Sequence, residues 1–214
     1  MAARPYHGAV AGDLASAGEA ARLADLRDLV RRLGHRRSAE PFRLSSGQLS
    51  HDYVDLRAAL AAGADLRLAA EAVAAHLEGL GVGYDAIGGM TMGADPIAHA
   101  VAVVTGACWF SVRKAEKAHG SRRRVEGAEV AGRRVVVVED TASTGRSALE
   151  AVEAVEAAGG RVVHALALLD RGEVAGPAIR ARGIAYSSLL TYADLGIEPV
   201  LPVEAGTGGS GPTS

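Results

Sequence analysis

Cysteine is almost absent. Cys108 stands alone, so no internal disulfide can close, and a reducing, cytoplasmic setting is the expectation. Aromatic residues are only 4% of the chain, and Trp109 and Phe110 read as core or subunit packing rather than a platform for stacking bases. No apolar run reaches membrane-spanning length, because each is short and broken by Gly, Asp or His. The N-terminus lacks the basic-then-apolar pattern of a secretory leader. Neither sign of charge dominates: the net charge of -2 argues against nucleic acid as a partner. His35, His76, His99 and His164 are scattered without metal-ligand spacing and read as surface or satisfied core histidines. Lysine is the scarcest charged residue. Lys and Arg total 23, of which two are lysines, leaving 21 arginines. Those two, Lys114 and Lys117, stand three residues apart. A compact, mobile ammonium is not interchangeable with guanidinium, so the pair points to chemistry at that segment.

What is present suits one buried core. The chain has 214 residues, 49% apolar and 22% charged. Residues 1–12 read as a loose start, 13–203 as one domain, and 204–214 as a disordered Gly/Ser/Thr/Pro tail. Leu23, Leu26, Leu29, Val30 and Leu33 form a helical stripe over 13–33. Short strands are expected at 41–44 and 51–56 around a Ser45-Ser46-Gly47 turn. Strand and helix then alternate: helix 64–80, strand 84–88, helix 95–104, strand 108–112, strand 135–138, helix 147–158, strand 162–169, helix 178–182 and strand 184–190. That order predicts a parallel sheet with helices on both faces. Ligands bind beyond the C-terminal strand ends in such sheets, which singles out the loops at 89–93, 113–127, 139–147 and 170–176.

The segment from Val135 to Ser147 is the most informative. Four valines make a strand buried on both faces. Glu139 and Asp140 follow; two adjacent carboxylates repel unless cations or hydroxyl donors answer them. Then come Thr141, Ala142, Ser143, Thr144, Gly145, Arg146 and Ser147, entering a helix whose free N–H groups can hold a phosphate. One loop thus offers acceptors for sugar hydroxyls and donors for a terminal phosphate. A merely capped strand-to-helix turn has no use for two acids.

This segment resembles the signature with which type I phosphoribosyltransferases bind phosphoribosyl pyrophosphate (PRPP). A second segment, Arg113-Lys114-Ala115-Glu116-Lys117-Ala118-His119-Gly120 followed by Val125-Glu126-Gly127, resembles the mobile loop of the orotate phosphoribosyltransferase family. Leu44-Ser45-Ser46-Gly47 with Tyr53-Val54-Asp55-Leu56-Arg57 is similar to that family's hood over the orotate pocket, and Leu168-Leu169-Asp170-Arg171 to the strand end whose Arg faces the orotate carboxylate. The resemblance covers about residues 20–195. It implies a type I phosphoribosyltransferase-like α/β fold with a small N-terminal hood at about 35–60, and transfer of phosphoribosyl from PRPP to orotate. It further implies that Glu139 and Asp140 meet the ribose, that 141–147 hold the 5′-phosphate, and that Arg113, Lys114, Lys117 and His119 meet the pyrophosphate. Ser143 and Arg171 would orient orotate. Mg²⁺ would ride on PRPP rather than on direct protein ligands, and a homodimer would lend the 113–127 loop to the neighbouring site.

The chain departs from the family pattern at Ser45 and Met92, where many members carry Lys, and at Arg146, where a small residue is common. Three rivals stay open here. A purine phosphoribosyltransferase would not need the 113–120 loop or Arg171. A PRPP-sensing regulator would need a nucleic-acid-reading element, which the residues before the hood do not supply. An inactive family member is the third.

Overall fold

The computed structural model describes residues 12–43, 49–114 and 123–199. Helix α1 (Gly12–Leu29) runs into a π-helical turn at Val30–Gly34. A two-stranded hairpin follows, β1 (His35–Arg43) and β2 (Leu49–Val54), antiparallel with an irregular register between Arg37 and Phe42. Then come α2 (Leu56–Ala59), α3 (Gly63–Gly79), β3 (Ala86–Met90), α4 (Asp95–Thr105), β4 (Cys108–Val112), β5 (Val125–Gly127), β6 (Arg134–Ala142), α5 (Arg146–Ala157), β7 (Arg161–Asp170), α6 (Ala175–Ala181) and β8 (Tyr186–Thr191). The six-stranded sheet has the order β5-β4-β3-β6-β7-β8 and is parallel except at β5, which pairs antiparallel with β4.

The valine run shows why this sheet has two covered faces. Side chains alternate along a strand. Val136 and Val138 join the core built with α1, α3, α4 and the hood, whereas Val135 and Val137 join the core built with α5 and Ile179 of α6. The chain leaves β3 toward β4 on one side and returns to β6 on the other, so the topological switch point lies between β3 and β6.

Three expectations need correction. Strand β1 starts at His35 rather than 41; its side chains are mostly exposed and polar, so backbone pairing holds it without an apolar alternation to read. The polar stretch after β4 contains a strand, β5, whose three residues are too few for periodicity. The strand expected to end at Gly88, before the 89–93 loop, runs on through Gly89 to Met90, and both glycines lie inside the fully buried strand β3. A β-carbon on Gly88 would stand 2.1 Å from the Phe110 carbonyl oxygen, and one on Gly89 2.1 Å from that of Val138. Glycine is there because neighbouring strands pass too close for any side chain. The Ser45-Ser46-Gly47 turn, residues 1–11 and the 204–214 tail lie outside the described residues, and Gly12 already belongs to α1.

Candidate active site

Strand β6 continues four residues past the valines, so the acid pair sits on the strand rather than in a loop. Alternation sends the two carboxylates to opposite faces. Glu139 is buried on the α5 side, where the Ser147 side chain and the Ala148 N–H favour its charged form. Burial, and then the charge of Asp140, push its ionisation up to about 8. Asp140 is on the other side, half-buried against Gly93. Its Oδ1 also accepts the Thr141 N–H at 2.7 Å.

The turn after β6 depends on Gly145. Its φ of 74° is left-handed, and a side chain there would also press on the backbone of Ala175. Helix α5 starts at the next residue, so its first N–H groups point back over the turn. A cleft of about 280 Å³ opens over this helix start, lined by Glu139, Asp140, Thr141, Ser143, Thr144, Gly145, Arg146 and Ser147 on one side. Residues 53–57 and Arg171 line the other side. The hood is fixed there by local chemistry. Asp55 caps α2 by accepting the N–H groups of Arg57 and Ala58, and buried Asp52 ties His35 and Arg37 together at 2.8 Å each.

Arg171 follows the end of β7, and its N–H bonds to the Ala142 carbonyl. The preceding residue anchors the loop: Asp170 accepts the Tyr186 hydroxyl at 2.7 Å and the Gly172 N–H at 3.1 Å. Burial, then that bond, push the Tyr186 hydroxyl far up in ionisation, so it stays a donor.

A second cleft of about 460 Å³ shares Arg57, Glu139, Asp140, Thr141 and Ser147 with the first and adds residues 90–94 and Lys114. The two together span the switch point. Arg113 faces elsewhere: its guanidinium lies 3.5 Å from Glu126, in a cleft with Thr91, Asp95, His99 and Trp109.

The structure therefore gathers most of the sequence-predicted residues, but not all. Glu139, Asp140, Thr141, Ser143, Thr144, Gly145, Arg146, Ser147 and Arg171 line one cleft, and Lys114 lines the adjoining one. Ala142 lines neither; its side chain packs with Ala167 and Ala175. Arg146 turns its guanidinium outward to Glu150 at 2.8 Å, which leaves its backbone as its contribution to the turn. Lys117 and His119 lie outside the described residues. Sequence reasoning gave Arg57 only as the end of the hood segment and Thr91 only within the 89–93 loop, with no role for either, although Arg57 borders both clefts. Their signal was position alone, at the hood edge and after a strand at the switch point.

The comparisons with known proteins agree with this fold. Residues 61–180 match the family model for the phosphoribosyl transferase domain. The orotate phosphoribosyltransferase of Mycobacterium tuberculosis (strain ATCC 25177 / H37Ra) is 45% identical over 183 residues, which cover 82% of this chain and 97% of that protein. The crystal structure of the M. tuberculosis H37Rv orotate phosphoribosyltransferase in complex with PRPP superposes with a TM-score of 0.69 at 41% identity, covering 82% of this chain and 99% of that one. The orotate phosphoribosyltransferase from Aeropyrum pernix gives a TM-score of 0.67 at 32% identity, covering 81% and 94%.

Proposed function

The chain belongs to the orotate phosphoribosyltransferase family, and from that premise we propose how its two joined clefts move the phosphoribosyl group of PRPP onto orotate, a step of pyrimidine nucleotide synthesis. The observation that carries the reading is the meeting, in one cleft, of an acid pair, a helix N-terminus and an arginine. Each answers one part of the substrates. The N–H groups of the 141–147 turn and the hydroxyls of Ser143 and Thr144 receive the 5′-phosphate. Asp140 accepts the ribose hydroxyls, with Glu139 behind it holding the turn to α5. Arg171 presents parallel donors to the orotate carboxylate, and Ser143 lies on the same wall.

The pyrophosphate end falls in the adjoining cleft, among residues 90–94, Arg57 and Lys114. The bond from the sugar carbon to pyrophosphate breaks as the orotate ring nitrogen bonds to that carbon and gives up its proton to the departing pyrophosphate. Positive charge grows on the sugar and negative charge on the leaving group. Asp140 favours the first, and Arg57 and Lys114 the second. Lys117 and His119 belong to the same set by their sequence pattern. Hard oxygen donors at Asp140 and Thr141 fit a Mg²⁺ ion carried chiefly by PRPP oxygens. Bound there, it would neutralise charge on the pyrophosphate. Among the described residues no group of three or more His, Cys, Asp or Glu side chains gathers to cage an ion.

A homodimer is part of the proposal. Arg113 turns away from the acid pair of its own chain, and Trp109 and Val103 stand exposed on the same flank of the sheet. That arrangement suits a 113–127 loop reaching a neighbouring site. Residues 13–203 are proposed to form the one catalytic domain. Among the described residues no helix is long and apolar enough to cross a membrane; a cytoplasmic location completes the reading.

The test is loss of orotate absorbance on adding PRPP and Mg²⁺ to purified protein, beside Asp140→Asn and Lys117→Ala variants. Loss that requires both additions and drops at least about a hundredfold in Asp140→Asn supports the reading. No loss with the wild-type chain, while PRPP still binds, would move the weight to a purine enzyme or a sensor.

A further inference from the structure

Two buried polar atoms at the ends of β7 and β8 have no hydrogen-bond partner: Nε of Arg171, a residue that lines the cleft, and the hydroxyl of Tyr192, a residue of the core beside it. Tyr192 is among the most deeply buried large side chains of the molecule, with 1% of its surface exposed. A buried hydroxyl without a partner is costly, and phenylalanine would fill the same space without that cost. The hydroxyl therefore calls for a reason beyond packing.

The fold supplies one by placing the two residues side by side. Strands β7 and β8 run parallel with Asp170 opposite Thr191, so Arg171 and Tyr192 leave neighbouring strand ends at the next step of the register. The Tyr192 N–H donates to the Asp170 carbonyl at 3.1 Å, which holds the two ends together. Burial pushes the Tyr192 hydroxyl up in ionisation, while the positive charge of Arg171 pulls it down and Asp52 and Tyr53 push it up. The hydroxyl thus lies within electrostatic reach of Arg171 and of the hood residues Asp52 and Tyr53.

We infer that Tyr192 is a positioning residue for Arg171: when substrate binds, its hydroxyl oxygen accepts from Nε, a bond not made in this structure, while the outer N–H groups of the guanidinium engage the substrate carboxylate. This rests on the reading of Arg171 as the carboxylate-binding residue. A guanidinium has five donors in a fixed planar fork. Fixing Nε from below sets the plane in which the other two nitrogens meet a planar carboxylate, and it satisfies both orphaned atoms at once. Tyr192 thereby contributes to preference for a carboxylated pyrimidine over an uncarboxylated one, without touching either.

The experiment is steady-state kinetics of Tyr192→Phe, Arg171→Ala and the double variant, with orotate and PRPP varied separately. Tyr192→Phe should raise KM for orotate roughly tenfold, leave KM for PRPP within about twofold, and not lower the thermal midpoint. In the Arg171→Ala background the same substitution should add nothing, because the group it positions is gone. An unchanged orotate KM in Tyr192→Phe, or effects that multiply in the double variant, overturns the inference. A wild-type chain inactive on orotate, or an Arg171→Ala variant with normal orotate KM, instead overturns the reading beneath it.

Discussion

Gly93 lies so close to Asp140 that a β-carbon at position 93 would stand 2.7 Å from the Asp140 Oδ1. The loop after β3 and the acid on β6 are therefore fitted to one another across the switch point. Gly93→Ala has one cheap escape, since the obstructing atoms are the end of a side chain: the carboxylate swings away. Stability should change by no more than about 1 kcal/mol. The displaced carboxylate should lower kcat/KM for PRPP by roughly ten- to a hundredfold, as small misplacements of a positioned group do. Kinetics beside a thermal melt separate the two effects, and unchanged kinetics would show that Asp140 does not meet the ribose.

Glu139 gives a pH signature in stability. Its carboxyl titrates near 8 in the fold against an ordinary 4.5, from burial first and Asp140 second. The folded state binds the extra proton between those values, so this group's stabilising contribution is full below about pH 4.5 and is lost as pH rises through 8. Glu139→Gln stays neutral throughout. Its stability relative to wild type should improve as pH rises from 5 to 8.5, by an amount on the order of 4 kcal/mol or less. Denaturant midpoints at several pH values measure this, and a constant difference would mean that Glu139 is ionised in the fold at neutral pH.

How much of this was legible in the sequence follows from which forces leave periodic traces. The valines of β6 alternate between two cores, and a continuous β-branched run records that directly. The acid pair, the Gly145 turn and the start of α5 were legible because residue type and order encode their chemistry. Strand β1 was not, since its residues are polar and its pairing is a backbone matter. The opposite orientation of Glu139 and Asp140 was also hidden: it depends on β6 running on to Ala142, which the valines alone do not reveal. Tyr192 carried no local signal, because its meaning comes from a register with strand residues twenty-one positions earlier.

The two glycines of β3 should be among the least replaceable residues in the core. Gly88→Ala would drive a methyl into the Phe110 carbonyl and ring, and Gly89→Ala into the Val138 carbonyl and Ala94. Backbone atoms cannot step aside as a side-chain tip can. Each substitution should cost about 3 kcal/mol or more. Gly63→Ala, with nothing within 4 Å of the added atom, serves as the control and should be neutral or stabilising by up to about 1 kcal/mol. Chemical denaturation of the three variants tests this; a Gly89→Ala protein as stable as Gly63→Ala would mean that the sheet is wider at β3 than described.

Acid sensitivity should trace to a buried network at the far edge of the sheet. Ser187 of β8 lies between His164 Nε2 at 2.8 Å and His76 Nε2 at 3.0 Å, and His76 Nδ1 reaches Glu19 of α1 at 2.9 Å. Four elements are thus tied through one hydroxyl and the His76 imidazole. Burial first, and the proximity of His76 second, lower the ionisation of His164 from 6.5 to about 4. The unfolded chain takes up that proton first as pH falls. The stabilising contribution of neutral His164 is therefore full above about 6.5 and disappears between 6.5 and 4, a loss on the order of 3 kcal/mol. His164→Gln keeps a polar group beside Ser187 but cannot charge. Its unfolding free energy should fall less steeply than that of wild type across this window, while above pH 7 its lower absolute stability should hold a constant offset. Parallel slopes for the two proteins from pH 6.5 to 4 would locate the acid-sensitive group elsewhere.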